Sequence, residues 1–325
     1  MEYRKLQKSK SGSFLISIPK EWVKKKGLDS GSLIKLIESE EGGLVLLPEG
    51  EEEKEENIAI IKTIENLEKQ IRTQYLLGAN TIIVDLGKKI SSTIREEIKN
   101  AISKLIGLEI IEEGINSITI QCLLQPTSIP VKSVLKRSYS LAASMHRDAE
   151  IALLEGDIEL AEVISKRDEE VDRLYFLIVR QLRSAIRNYS IAEKLGVKPI
   201  ECLDLRMAAK YIEGIADQSE IIAKNVVKIH NEKIDIDKEI INELLEISHM
   251  AYNLHEEASQ ALFKRDVKLA NKVISKNNEF KNKVFKFNEL LLVKQSKFST
   301  IINSITMHIY QIGEYGIDLA ELVSF

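Results

Sequence analysis

At 325 residues the chain is too long for one ordinary domain and predicts two or three. Its 44% hydrophobic and 30% charged content supports packed cores under a soluble surface. No stretch reaches the roughly 18 uncharged residues needed to span a bilayer, and no N-terminal signal pattern is present. Cys122 and Cys202 form neither a CxxC nor a zinc-knuckle spacing. These features predict a cytoplasmic protein that does not insert into membranes.

The net charge of −4 conceals an uneven distribution. Residues 1–35 hold nine Lys/Arg against three Asp/Glu, a net of +6. Residues 36–57 hold one Lys against nine Glu, a net of −8. The remaining residues are nearly balanced at −2. The stretch 49–57, "EGEEEKEEN", lacks apolar residues and reads as a solvated acidic linker between domains.

The first segment is 1–48. "MEYRKLQ" is a strand candidate, and "SFLISIP" sets Phe14, Ile16 and Ile18 on one face against Ser13, Leu15 and Ser17. Pro19 suits the first position of a helix that Gly27 stops. "SLIKLIE" and "LVLLP" flank the turn "SEEGG" and predict a hairpin. A β-α-β-β unit this small buries too little apolar surface alone, and an interleaved dimer would solve that. Its lysines and arginines would attract a phosphate backbone; a solvated basic face is the simpler alternative.

"GSFLISIPKEWVKKKGLDSGSLIKLIESEEGGLVLLP" resembles the SpoVT/AbrB-like swapped-hairpin domains in its "IPK" helix start, "GL…G" turn and final hairpin. The resemblance implies a dimeric β-barrel that binds duplex DNA. It assigns the phosphate contacts to Arg4, Lys5, Lys8, Lys10, Lys20, Lys24 and Lys25.

The second segment, 58–127, reads as a small α/β spacer. Ile60, Ile61, Ile64, Leu67, Ile71 and Tyr75 make a helical stripe. "TIIVDL" at 81–86 is a buried-strand candidate, and "SSTIREEIKNAISKLIG" a serine-capped helix. "EIIEEGINSITIQCLL" predicts a hairpin turning at Gly114 and Asn116. Its expected role is scaffolding or dimerisation. It resembles the spacer of archaeal proteins that join an AbrB-like head to a PhoU-like body.

The third segment, 128–325, is helical and repeats itself. "HRDAEIALLEGDIELA" at 146–161 matches "HEEASQALFKRDVKLA" at 255–270 in seven of sixteen positions, and "VISK" recurs at 163–166 and 273–276. Two homologous helical bundles follow, over 128–232 and 233–325. His146 and His255 hold equivalent positions and read as packing or interhelical hydrogen-bond residues.

In "RMAAKYIEGIADQSEIIAKNVVKI", Ala208, Ile212, Ile215, Ser219, Ile222, Val226 and Ile229 form the apolar stripe. Glu213 and Asp217 share a face that, at about 100° per residue, lies nearly opposite it. Asp168 and Asp172, also four apart, flank the stripe of the preceding helix. Such pairs on neighbouring antiparallel helices suit an oxygen-rich metal site; ordinary surface carboxylates balanced by Lys166, Arg167 and Lys210 are the alternative.

"YIEGIADQSEIIA", and "YQIGEYGIDLAE" at 310–321, resemble the "ERIGD" helix of the phosphate-uptake regulator PhoU family. That resemblance implies tandem three-helix bundles carrying divalent or iron ions on surface acidic motifs. Here it assigns the metal to Asp168, Asp172, Glu213 and Asp217 on the first bundle. In the second repeat Asn278, Asn282 and Tyr310 replace acids, leaving the remnant Glu314 and Asp318. Gly214 stands where the motif has arginine.

No nucleophile elbow, P-loop or dinucleotide fingerprint is found, so no enzyme is predicted. The expectation is a multidomain α+β homodimer or higher oligomer. It would regulate transcription of phosphate-uptake genes through its head while the bundles sense a metal, ligand or protein. The alternative is a protein that does not bind DNA and restrains a phosphate transporter or sensor component.

Overall fold

The computed structural model describes residues 3–38, 42–48, 57–294 and 299–323. The chain divides into two compact units, Met1–Glu56 and Asn57–Phe325. The predicted linker falls outside the described residues except for Asn57.

The first unit holds β1 (Gln7–Lys8), β2 (Phe14–Leu15), α1 (Lys20–Lys25), β3 (Ile34–Glu38) and β4 (Leu44–Pro48). β1 pairs with β2 and β3 with β4, both antiparallel, as two separate sheets; among the described residues no barrel closes. Pro19 caps α1 from outside instead of occupying its first turn. Gly27 ends the helix at φ +61°, with Leu28 N–H donating to the Val23 carbonyl at 3.0 Å. No described residue of this unit is buried. Phe14, Leu33 and Leu44 are each more than 60% exposed, which no stable isolated domain tolerates.

The second unit opens with an α/β layer: β5 (Ile58–Ile61), α2 (Leu67–Leu76), β6 (Thr81–Asp85), α3 (Ser92–Ser103), β7 (Leu108–Glu113) and β8 (Ser117–Cys122). The sheet order is β5-β6-β8-β7, parallel between β5 and β6 and antiparallel elsewhere. The stripe expected to run helically from Ile60 is corrected here. Ile60 and Ile61 lie in β5, and α2 starts only after Asn66, whose φ of +50° breaks the path. Four β-branched or small residues pairing with β6 outweigh the helical spacing. Ser91 caps α3 by accepting from Ile94 N–H at 3.3 Å.

The bundles follow as α4 (Val131–Glu155), α5 (Ile158–Arg187), α6 (Tyr189–Leu195) and α7 (Glu201–Asn231), then α8 (Lys238–Lys264), α9 (Val267–Ser275), α10 (Asn277–Lys294) and α11 (Ser299–Glu321). The duplicated sequence yields duplicated structure. Asp157 and Asp266, identical in the repeat, cap α5 and α9 by accepting from Leu160 and Leu269 N–H. Just before them Gly156 and Arg265 both take left-handed backbone to end α4 and α8. One hydrophobic core runs through both bundles, and α7 packs against α4, α5 and α11.

Two contacts fix the assembly. Across α4 and α8, Tyr139 Oη lies 3.0 Å from His255 Nδ1, His255 Nε2 3.1 Å from His146 Nδ1, and His146 Nε2 2.9 Å from Ser248 Oγ. Tyr139 and Ser248 are 109 residues apart, as are the two histidines, so each repeat's imidazole meets the other's hydroxyl. Both histidines are fully buried; burial pushes His146 down to about 3 and His255 well below its usual value, so both stay neutral.

The α/β layer docks through Arg180, a fully buried cation of α5. Its Nη1 donates to the Tyr75 and Ala79 carbonyls at 2.7 and 2.9 Å, and its Nη2 to Asn80 Oδ1 at 3.0 Å. The carbonyls that close α2 thus take the place of a counter-carboxylate.

Close approach of α11 to α8 depends on Gly316, where a Cβ would lie 2.7 Å from His255 N and 3.0 Å from its Cα. Backbone cannot yield there. At Gly313 the obstruction is the buried Phe280 ring, a side chain and not backbone. We expect Gly316→Ala to cost about 2–3 kcal/mol and Gly313→Ala less, as read by urea unfolding.

Candidate functional site

The antiparallel helices α5 and α7 bring three of the four predicted acids together. One carboxylate oxygen from each of Asp172, Glu213 and Asp217 lies within 4.8 Å of the others, the only such acid group among the described residues. Asp168, one turn earlier on α5, belongs to the same electrostatic patch. Its Oδ1 is buried and has no hydrogen-bond partner.

The acids do not lie on an outward face, contrary to the sequence reading. Glu213 is 7% exposed, and Asp172 and Asp217 are half-buried. The helical wheel identified one stripe on α7, whereas the fold uses nearly the whole helix. Ala209, Gly214, Ala216 and Ala223 are also buried. A Cβ on Gly214 would lie 2.5 Å from the Tyr315 ring of α11, so glycine at the motif's arginine position lets the bundles meet.

Crowding leaves its mark on every acid. Burial first, then the charges of Asp217, Asp172, Glu220 and Glu213, push Asp168 up to about 7. Burial and Glu213 push Asp217 up to about 6. Burial raises Asp172, reinforced by Asp217, and raises Glu213 against the opposing Lys210. Glu220 was missed in the sequence although it continues the face of Glu213 and Asp217 at i+7 and i+3. It pairs with Lys224 at 2.5 Å.

Lys210 compensates part of the charge through an ion pair with Glu213. Its Nζ also sits 5.6 Å from the centre of the Tyr175 ring, which Arg206 covers at 4.8 Å. Arg72 of α2 adds a positive field at Asp172.

In the second repeat Lys281 pairs with Glu314 at 3.1 Å, and Tyr310 stacks on Phe280 at 5.9 Å. Asp318 is raised by burial, Glu321 and Glu314, but among the described residues these acids do not bring three carboxylate oxygens within 4.8 Å of one another. The residue matching Tyr175 is Phe285, which is 62% exposed in a groove of about 970 Å³ between α10 and α11. This groove is lined by no acid and lies apart from the carboxylate group.

The seven basic residues predicted for phosphate contact, Arg4, Lys5, Lys8, Lys10, Lys20, Lys24 and Lys25, are all exposed on the first unit. Arg4 Nη1 donates to Ser17 Oγ at 3.4 Å. No helix among the described residues is long and apolar enough to cross a membrane.

The PhoU domain model matches residues 135–226 and 244–323, one span per bundle. The model described as "Antidote-toxin recognition MazE, bacterial antitoxin" matches residues 7–54. The crystal structure of PhoU from Pseudomonas aeruginosa is similar at 20% identity and TM-score 0.53, over 59% of this chain and 93% of that one. The phosphate transport system regulatory protein PhoU from Streptococcus pneumoniae is similar at 16% identity and TM-score 0.50, over 59% and 91%. Among curated proteins none matches the chain.

The acids and the histidines titrate in opposite senses. A carboxyl raised in the fold costs stability at high pH and returns it as pH falls through the folded value; Asp168 and Asp217 do so near 7 and 6. A histidine lowered in the fold costs stability as pH falls below its unfolded value of about 6.5. Metal-free protein should therefore melt higher as pH drops from 8 to about 6.5, then lower. Asp168→Asn should flatten the first limb only. At about 1.4 kcal/mol per pH unit the full effect is ~4 kcal/mol, which partial exposure of Asp168 reduces to about 2 kcal/mol at pH 8.

Proposed function

The chain belongs to the PhoU family, and from that premise we propose that it is a DNA-binding regulator of phosphate uptake. The observation that carries this reading is the placement of charge. A unit with no buried residue among those described exposes all seven of the cations assigned to phosphate contact, in a chain whose net charge is −4. Exposed Phe14, Leu33 and Leu44 call for a second copy to complete a core, and two copies double the cationic surface. Strands from both copies would close the barrel that a single chain leaves open.

The bundles supply the sensing side of the proposal. Asp168, Asp172, Glu213 and Asp217 fit a cation on their own chemistry. They are all oxygen donors, mutually repelling, with one buried oxygen lacking any partner. Donors of this kind suit hard divalent ions or iron, which would neutralise the repulsion where Lys210 does so only in part. Glu314, held by Lys281, lacks such a set.

The other reading gives the head only a dimerising role and the bundles a phosphate transporter or sensor component as partner. The head's exposed apolar residues are what favour it.

Gel shifts on duplex DNA decide between the two. Affinity should fall with salt at a log–log slope of about −0.9 per phosphate neutralised, and reversing Arg4, Lys8 and Lys10 to Glu should flatten that slope. No shift at low salt removes the DNA reading. For the metal, calorimetry of chelator-treated protein with manganese or iron(II) should give binding that Asp217→Asn weakens at least about tenfold and Asp318→Asn leaves intact. No heat with either ion ends the metal assignment.

A further inference from the structure

We infer that the uncovered face of the β5-β6-β8-β7 sheet is a contact between two copies of this chain. The inference rests on the dimeric head proposed above.

Helices α2 and α3 cover one face of the sheet, where Ile61, Ile82, Val84, Ile118 and Ile120 are buried. Strand alternation puts their neighbours on the other face. The pairing registers give two full rows there, Ile58–Thr81–Gln121–Glu109 and Ile60–Ile83–Thr119–Glu112, and a short end row, Asp85–Ser117. Ile58 is 47% and Ile60 57% exposed, and Ile83 is half-buried. A sheet face that meets water normally carries charge. Here β5 and β8 bring none, and the acids stand at the margins of the face: Asp85, at the end of β6, accepts from Gly87 N–H, and Glu109 and Glu112 lie on the outer strand β7.

A second copy of the chain is the occupant the observations favour. The face is self-complementary: a twofold axis near Ile60 and Ile83 lays this pair on the same pair of the other copy. Glu109 and Glu112 then remain at the rim, in water, where like charges are screened. The chain also delivers the partner. Nine residues separate Pro48, the end of β4, from Ile58, the start of β5, a reach of at most about 35 Å. Two heads paired through their apolar residues therefore hold the two sheets at an effective concentration in the millimolar range.

Size explains why the tether matters. Three strands about 4.8 Å apart and three or four residues long offer roughly 200 Å² per copy. The total of roughly 400 Å² is far below the ~1,200 Å² of a contact that stands alone. The sheets thus meet because the heads hold them together.

Full-length protein carrying Ile60→Cys, treated with a short bis-maleimide, tests this. Wild type, whose Cys122 is half-buried and Cys202 buried, is the background control. Ile200→Cys, at an exposed site on the bundle, is the positional control. Light scattering should give a dimer, and Ile60→Cys should cross-link most of the chain while both controls stay uncoupled. Adding Ile58→Lys, at another exposed position, should abolish the cross-link and leave the dimer mass unchanged. A dimer that does not couple through Cys at position 60, or that still couples with Ile58→Lys present, overturns the inference and leaves the dimeric head standing. A monomer by light scattering overturns the head reading, and this inference with it.

Discussion

Everything about the acidic group depends on one tension at the seam between α5 and α7. Three carboxylates that repel one another are held within 4.8 Å. What holds them is the apolar packing of the same two helices. Val171, Leu174 and Ile178 of α5 and Ile212 and Ile215 of α7 are buried in the shared core, each worth about 1.5–3 kcal/mol. That gain exceeds the cost of raised carboxyls at half-buried positions, so the helices do not separate. They keep acids in an arrangement that the acids alone would avoid.

The internal duplication shows which parts of that arrangement are needed to fold and which are not. The positions kept between the repeats are caps and core: Asp157 and Asp266 at helix starts, His146 and His255 at the crossing, and buried Ala149, Ala152 and Ala161 with Ala258, Ala261 and Ala270. The acids are kept only in part, Glu314 standing where the first repeat has Asp217. Asn282 stands for Asp172 and Tyr310 for Glu213, with Tyr310 stacked on Phe280 in place of a charge. Because the second bundle folds without the group, the acids of the first bundle are not part of what stabilises the fold. They stand against an electrostatic cost, which is the cost that the proposed cation would relieve.

Much of this was legible in the sequence. The repeat, the caps and the final hairpin of the head follow from identities and turn residues that act locally. The four acids followed from spacing, since i and i+4 must share a helix face. The error about which way Glu213 faces has a specific source. A hydrophobic stripe marks the face buried against large side chains, and it is blind to faces that approach through small ones. Ala209, Gly214, Ala216 and Ala223 were the available signal that α7 is surrounded. The strand β5 was misread for a related reason. Ile60 and Ile61 fit a helical spacing, but the strand they pair with, β6, lies some twenty residues away, beyond any local pattern.

Arg180 marks the furthest limit of such reading. An arginine in "LYFLIVRQL" looks like a charge that ends an apolar run, yet among the described residues it is the largest fully buried side chain. No nearby acid could announce its partner, because its partners are backbone carbonyls of Tyr75 and Ala79, about a hundred residues earlier. Those carbonyls point toward α5 only once α2 has formed and ended. The same docking brings Arg72 of α2 over Phe176, at 5.4 Å, and into the field of Asp172. The α/β layer therefore acts on the bundle it docks against. Through Arg72 it sets part of the charge balance at the acids, and its open sheet face lies on the side away from the helices that dock. One small domain thus reaches toward the carboxylates with Arg72 on one side and presents uncovered strands on the other.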